Sequence, residues 1–388
     1  MVIMTKVIIP YKYQIELDDS LPLYKELQEK HSVQFLKYHM TTPEHFIKYI
    51  NDEQINCIWI TEDFFTYLGG PAPYWDNFPK SLRAIVVPWV GCDFIDGRRL
   101  RKEKDILLCN VGPNAASNVS DLCLYLVLSC FRMTSFSEYC FKFIDTGDVD
   151  ACKDHIGSTA NNVTTHTLTD PNGKSFNYKY PTKKQRHDEP INIVQNYNFG
   201  GKHIVSPTNK NALILGFGSI GQMIGKKLNA AFNMKIHYYK RSGPVPKEVL
   251  GYDTTYIKSL DDPTSWTDID IIILSLPSNP QSDNIINEKT LSMCKDGVRI
   301  VNVGRGSCIN EDDLLVALDS GKVNSCGLDV YKNEDKKVNE KLLSRWDVTA
   351  LPHMGSAEYD IVLLETQITL ENIEDIFVKN GEGIYTVN

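Results

Sequence analysis

Asn211-Ala-Leu-Ile-Leu-Gly-Phe-Gly-Ser-Ile-Gly221 is the stretch that decides the fold. An apolar run ends in a G-x-G-x-x-G turn, and the helical pattern Gln222-Met-Ile-Gly-Lys-Lys-Leu follows at once. Gly216 permits a tight turn, Gly218 lets the backbone approach a phosphate, and Gly221 allows a helix to pack closely on its strand. The helix N-terminus, with Ser219 and Ile220 at its start, attracts negative charge. Such glycines also occur in purely structural turns. The strand–turn–helix setting predicts a dinucleotide pyrophosphate site instead.

The next strand pattern ends Lys235-Ile-His-Tyr-Tyr-Lys-Arg-Ser242. An acidic residue is expected near this point when the cofactor's ribose 2′-hydroxyl is free, and none is present. Lys240, Arg241 and Ser242 offer two cations and a hydroxyl, which suit a 2′-phosphate. The alternative is that these side chains simply face solvent. NADP is therefore the expected cofactor, with NAD as the second choice.

Outward from the turn, strand-like runs alternate with helical ones on both sides. The first series comprises Lys6–Pro10, Val33–Tyr38, Cys57–Ile60, Arg83–Val87 and Ile106–Asn110. The second comprises Ala212–Leu215, Lys235–Tyr239, Ile269–Leu276, Arg299–Val303, Cys326–Val330 and Val348–Leu351. This alternation predicts two α/β layers with parallel sheets. One long apolar helix is expected over Leu122–Lys142, and a final helix capped by Ser356 and running to Lys379. Asn310 to Gly321 has a helix cap, an acidic first turn and a terminating glycine.

Between about 150 and 200 the composition turns to Thr, Asn, Asp, Gly and Lys, as in Ser158-Thr-Ala-Asn-Asn-Val-Thr-Thr165. This reads as an inserted surface segment, partly mobile or a hairpin around Asp170-Pro-Asn-Gly173. Its basic cluster, Lys183-Lys-Gln-Arg-His-Asp-Glu189, reads as a solvated loop.

The chain of 388 residues is 42% hydrophobic and 23% charged, ordinary for a soluble protein of two domains. Its net charge of -8 argues against nucleic acid or an anionic membrane as the main partner. No apolar run reaches the roughly 18 residues a membrane helix needs. The first residues show no secretory or mitochondrial layout, so the cytosol is expected. The ten cysteines form no C-x-x-C pair and stand at no zinc spacing, so no metal site is expected. Most sit in apolar runs as small hydrophobes; Cys308, beyond Arg305, is the one expected near chemistry.

Three further motifs carry a family resemblance: Val301-Asn-Val-Gly-Arg-Gly306, Gly327-Leu-Asp-Val-Tyr-Lys-Asn-Glu334 and Leu351-Pro-His-Met-Gly-Ser-Ala357. In order and spacing they resemble the D-isomer-specific 2-hydroxyacid dehydrogenases, especially the glyoxylate/hydroxypyruvate reductase branch. The resemblance covers most of the chain from Arg83 onward. It is weakest in the first 80 residues and absent from the insertion.

The chemistry accounts for the residue types. Reducing a 2-oxo acid needs a hydride, a proton for the developing alkoxide and an anchor for the carboxylate. Arg305 suits the anchor, because a guanidinium grips a carboxylate with two prongs and stays charged. It also polarises the carbonyl in the transition state. His353 suits the proton, with an intrinsic pKa near 6.5, and Glu334 would orient and charge it. Taken singly, each has a structural reading: a proline-following histidine, a surface carboxylate, a buried ion-pair partner.

The resemblance implies a Rossmann-like cofactor domain inserted into a flavodoxin-like substrate domain. Substrate-domain bounds are 1–120 with 355–388, and NAD(P)-binding bounds 121–354. It implies further cofactor contacts at Leu276, Pro277, Val303, Gly304, Arg305, His353 and Gly355. Asp329 matches the family aspartate contacting the nicotinamide carboxamide, or else caps its strand. Val90 and Gly91, in Pro88-Trp-Val-Gly-Cys-Asp93, match the turn whose N–H groups hold the substrate carboxylate. The family has a small residue where Cys92 stands. Asn118-Val-Ser-Asp121 resembles a family segment that carries Glu where this chain has Asp121. Phe64-Phe-Thr-Tyr-Leu-Gly-Gly-Pro-Ala-Pro-Tyr-Trp75 is expected to line the substrate mouth, or to be core or a dimer contact.

The expected activity is NADPH-dependent reduction of a glyoxylate- or hydroxypyruvate-like acid to the D-2-hydroxy acid by a homodimer. A competing reading is a dinucleotide-sensing corepressor of the same fold, which can retain Arg305, Glu334 and His353. Formate dehydrogenases carry Gln where Glu334 stands, which disfavours that branch.

Overall fold

The computed structural model describes residues 4–184, 192–334 and 336–388, and divides into two compact units. One unit comprises Met1–Ala115 and Ser356–Asn388, the other Ala116–Gly355. Gln185–Glu189 of the basic cluster lie outside the described residues.

In the first unit, β1 (Thr5–Tyr11), β2 (Val33–His39), β3 (Cys57–Trp59), β4 (Ala84–Val86) and β5 (Leu107–Cys109) form a parallel sheet in the order 2-1-3-4-5. Val7, Ile8, Ile9 and Pro10 of β1 and all of β3, β4 and β5 are buried because helices cover both faces, whereas the edge strand β2 exposes Gln34, Lys37 and His39. Val7 and Ile9 point to one face, against Leu27 of helix Pro22–His31 and Leu370 and Ile373 of helix Tyr359–Phe377. Ile8 points to the other, against Phe46, Phe64 and Leu100. That final helix starts at Tyr359 and ends at Phe377. Glu358, not Ser356, stands at its N-cap, and no side chain caps it there.

The second unit opens with helix Ala116–Arg132. The single long helix expected over Leu122–Lys142 is instead broken. Met133 adopts a left-handed φ of 52°, and the following helical piece Thr134–Ile144 turns away by 76°. The bend carries Phe136 and Cys140 into a satellite core with Tyr178, Tyr180, Phe199 and Trp346.

The expected hairpin forms as β6 (Val163–Thr169) and β7 (Ser175–Pro181), turned by Asp170, whose Oδ1 accepts from the Asn172 and Lys174 N–H groups. The alternating Phe176, Tyr178 and Tyr180 put one side of β7 on the satellite core, which anchors the insertion. A short pair follows, β8 (Asn198–Phe199) and β9 (Lys202–His203).

Then come β10 (Asn211–Leu215), β11 (Lys235–Tyr239), β12 (Thr254–Tyr256), β13 (Ile271–Leu274), β14 (Val298–Asn302), β15 (Val323–Leu328) and β16 (Val348–Ala350). They make one parallel sheet in the order 12-11-10-13-14-15-16. The strand order reverses between β10 and β13, the kind of switch point where such sheets take ligands. Two strands differ from expectation. β12 is too short and polar to announce itself, and β15 begins at Val323, before the apolar run read from the sequence.

Asp347, fully buried before β16, ties the insertion to this sheet. It accepts from Arg345 at 2.8 and 2.9 Å and from Lys202 of β9 at 2.5 Å. Removing the charge would leave Lys202 without its carboxylate and Arg345 with Asp319 alone. Asp347→Asn is therefore expected to cost about 3–5 kcal/mol of stability, read as a lower midpoint in urea unfolding.

Candidate active site

Gly216 leaves β10 at a φ of 91°, and a Cβ there would come within 2.7 Å of the Ser275 carbonyl oxygen. A Cβ on Gly221 would lie 2.1 Å from the Gly216 carbonyl oxygen, so helix Ser219–Phe232 can sit this close only without one. Nothing lies within 4 Å of the corresponding point on Gly218, so that side of the turn is open. No side chain caps the N–H groups of Ser219, Ile220 and Gly221 at the helix start. An open backbone cradle at an uncapped helix N-terminus fits a pyrophosphate.

Lys240, Arg241 and Ser242 form the turn that leaves β11, closed by the Gly243 N–H donating to the Lys240 carbonyl. Because β11 pairs with β10 in parallel, Leu215 lies opposite Tyr239, and the Gly216 N–H donates to the Tyr239 carbonyl. The basic turn therefore stands beside the glycine turn. Arg241 and Ser242 are exposed and Lys240 is half-buried.

Leu276 and Pro277 leave β13; Val303, Gly304 and Arg305 leave the neighbouring β14. Asn302, wholly buried, accepts from the Gly304 N–H and donates to the Arg305 carbonyl, which sets the Arg305 loop. Gly306 then packs on the loop leaving β15. A Cβ there would fall 1.9 Å from the Tyr331 carbonyl carbon. Tyr331 in turn donates its N–H to Glu334 Oε2 at 3.2 Å and its hydroxyl to the Leu351 carbonyl at 2.8 Å.

Glu334 Oε1 faces His353 Nδ1 at 3.3 Å. The hydrogen bond that His353 donates to Glu334 is the chief cause that holds His353 above the usual histidine value; burial opposes it and the charges of Glu334 and Asp329 assist. For Glu334, burial alone would raise the carboxyl. The hydrogen bond and charge of His353, the Tyr331 N–H and Arg305 together bring it below the usual value. The imidazole remains 54% exposed on its side chain, so it can exchange protons with a ligand or solvent.

His353 has a left-handed φ of 56°, a conformation that histidine adopts more readily than most side chains. Asp329 holds that turn: its two carboxylate oxygens accept from the N–H groups of Met354 and Gly355, at 2.7 and 2.9 Å. Of the two sequence readings for Asp329, the backbone cap is thus present in the structure. Burial is the main reason its carboxyl lies above the ordinary value.

Arg305, Glu334 and His353 accordingly stand on loops at the carboxyl ends of three adjacent strands. Val90 and Gly91 belong to the other unit, in a bend after β4 where the Val90 carbonyl accepts from the Asn110 side chain at 2.7 Å. Asp121 pairs with Lys227 at 2.7 Å. The aromatic stretch divides: Phe64 and Tyr74 are core, whereas Phe65 and Trp75 are only partly buried. Cys308 is fully buried and its thiol is pushed up to about 11 by that burial, so the expectation of chemistry there is withdrawn.

Asn302 and Tyr331 were missed by sequence reasoning. Their one signal is position: a polar residue ending a buried strand, and an aromatic between Asp329 and Glu334. Among the described residues, no group of His, Cys, Asp and Glu is arranged to hold a metal ion.

Residues 185–355 match the family model for the NAD-binding domain of D-isomer specific 2-hydroxyacid dehydrogenases. A Saccharomyces cerevisiae protein provisionally named a 2-hydroxyacid dehydrogenase is 52% identical over 99% of this chain and 96% of its own length. The hydroxypyruvate reductase of Thermotoga maritima is 29% identical, covering 78% of this chain and 79% of that protein. In fold, the D-mandelate dehydrogenase of Rhodotorula graminis superposes with a TM-score of 0.76 at 23% identity, over 99% of this chain and 98% of that one. Sequence, fold and strand-end residues converge, and the chain belongs to the D-isomer specific 2-hydroxyacid dehydrogenase family, oxidoreductases that use a nicotinamide dinucleotide.

Proposed function

We propose that this protein reduces a 2-oxo acid to the D-2-hydroxy acid with NADPH, glyoxylate and hydroxypyruvate being the first substrates to expect. The observation that carries the reading is the Glu334–His353 pair, on the ends of the two strands that follow Arg305's strand in the sheet. The relatives named as hydroxypyruvate and glyoxylate reductases support the acid class.

When bound, the nicotinamide supplies the hydride that reaches the substrate's carbonyl carbon. Arg305 grips the carboxylate and draws electron density toward the carbonyl oxygen as it becomes an alkoxide. His353 donates the proton to that oxygen from Nε2, since its Nδ1 faces Glu334. Glu334 keeps the ring oriented and cationic until transfer, and exposure of the ring allows reprotonation from water. Asp329 holds the turn that carries His353, and is the residue proposed beside the nicotinamide carboxamide.

For the cofactor, the basic turn beside Gly216 supports NADPH over NADH, because Lys240, Arg241 and Ser242 would offer two cations and a hydroxyl to a ribose 2′-phosphate. A homodimer is the proposed assembly. Tyr125 and Leu128 on helix Ala116–Arg132, and Phe141 and Phe143 after it, are large apolar side chains left exposed. A reducing compartment such as the cytosol suits the ten cysteines, none of them in a disulfide and most of them buried.

A screen of 2-oxo acids with NADPH and NADH side by side tests the reaction. His353→Ala is expected to lose about 100- to 10,000-fold in turnover; normal turnover would overturn the proton-donor role. Replacing Lys240 and Arg241 together by Ala should cut the preference for NADPH by about 10- to 100-fold. The pH dependence has a definite sign. Reduction needs the imidazolium, so kcat/KM holds on the acid side and falls as pH rises through the raised His353 pKa. Glu334→Gln removes the carboxylate charge and weakens the hydrogen bond behind that rise, and should move the falling limb to lower pH; an unmoved limb contradicts the pairing. Light scattering after size exclusion should give twice the chain mass, and Phe143→Asp with Leu128→Asp should give the monomer.

A further inference from the structure

Within the second unit, two tyrosines hold the ends of the basic turn. Tyr238 of β11 and Tyr256 of β12 lie opposite each other in the parallel register, so both rings stand on one face of the sheet, 5.5 Å apart between centroids. The Tyr256 hydroxyl donates at 3.3 Å to the Lys240 carbonyl, which also accepts from the Gly243 N–H. The Tyr238 hydroxyl accepts from the Val245 N–H at 2.8 Å. Between these anchors Gly243 takes a φ of 96°, and the ring of Pro244 locks its own φ. Tyr238 is fixed in turn: its buried ring stacks at 4.0 Å on Phe217, the residue between Gly216 and Gly218. One side chain thus ties the basic turn to the glycine turn. Arg241 and Ser242 are exposed, so their placement comes from the backbone that carries them.

We propose that Tyr238 and Tyr256 are positioning residues for the cofactor's 2′-phosphate. Their hydroxyls hold the Lys240–Arg241–Ser242 turn in the form that receives the phosphate, and so set the preference for NADPH over NADH. The inference rests on the NADPH reading above and extends it to two uncharged residues that need not touch the cofactor. The physical reason is preorganisation. A turn held in advance loses little conformational freedom when a phosphate binds, so the attraction of its two cations is realised as affinity. A loosened turn keeps the same charges and loses part of that attraction. The pyrophosphate cradle rests instead on the glycines of the preceding turn and on the ring of Tyr238, not on its hydroxyl.

The experiment measures binding of adenosine 2′,5′-bisphosphate and of AMP to the full chain by calorimetry, since the two ligands differ only in the 2′-phosphate. KM and kcat for NADPH and NADH are read beside it, with glyoxylate or hydroxypyruvate as the acid. Tyr238→Phe and Tyr256→Phe keep both rings and remove only the hydroxyls. Each should weaken the bisphosphate by about two- to tenfold, the worth of one hydrogen bond, and leave AMP unchanged. The KM for NADPH should rise by the same factor, while kcat and the KM for NADH hold. Tyr256, on the edge strand, keeps the test open if Tyr238→Phe fails to fold. Equal weakening of both ligands marks a merely structural role and overturns the inference, as does an unchanged bisphosphate-to-AMP ratio in both variants; the NADPH reading then stands. A wild-type chain that binds the bisphosphate no tighter than AMP overturns the NADPH reading and this inference together.

Discussion

The backbone of Tyr331 occupies the space that any side chain at position 306 would need. That contact sets how closely the loops leaving β14 and β15 approach, and much of the site follows from it. Arg305 precedes Gly306, so its guanidinium is delivered from a loop pressed onto Tyr331. Tyr331 passes the constraint on in two directions. Its N–H holds Glu334, and its hydroxyl reaches the Leu351 carbonyl, two residues before His353. Three strand ends are thereby joined through one aromatic residue that need not touch the substrate.

Holding His353 has an energetic cost that its neighbours offset. A left-handed backbone at a residue other than glycine costs on the order of 1–3 kcal/mol. Asp329 compensates with two charge-assisted bonds to the N–H groups that follow. Its carboxylate also adds negative charge near the imidazole, in the same sense as Glu334. One buried acid therefore supports the backbone and adds to the proton affinity that Glu334 chiefly sets.

The glycine turn obeys a similar logic of close approach. Gly216 and Gly221 let the strand, the turn and the helix converge, while the open side of Gly218 is left for a ligand. The insertion contributes differently. It is anchored through the aromatic side of β7 and through Lys202 on Asp347, at the opposite end of the sheet from the loops that carry the chemistry.

What was legible in the sequence was local. The G-x-G-x-x-G turn, the apolar strands, the basic Lys240–Ser242 ending and the strand-end places of Arg305, Glu334 and His353 rest on short-range patterns that the chain carries wherever it folds. Helix breaks were less legible, because Met133 bends the chain to bury Phe136 and Cys140 in a satellite core that no local pattern announces. Partnerships were not legible at all. Asp329 capping the turn after His353, Asn302 clamping the Arg305 loop and Tyr331 lying against Gly306 each depend on which strands become neighbours. Strand order is settled by packing over the whole sheet, so residues far apart in the chain acquire their roles only when β14, β15 and β16 stand side by side.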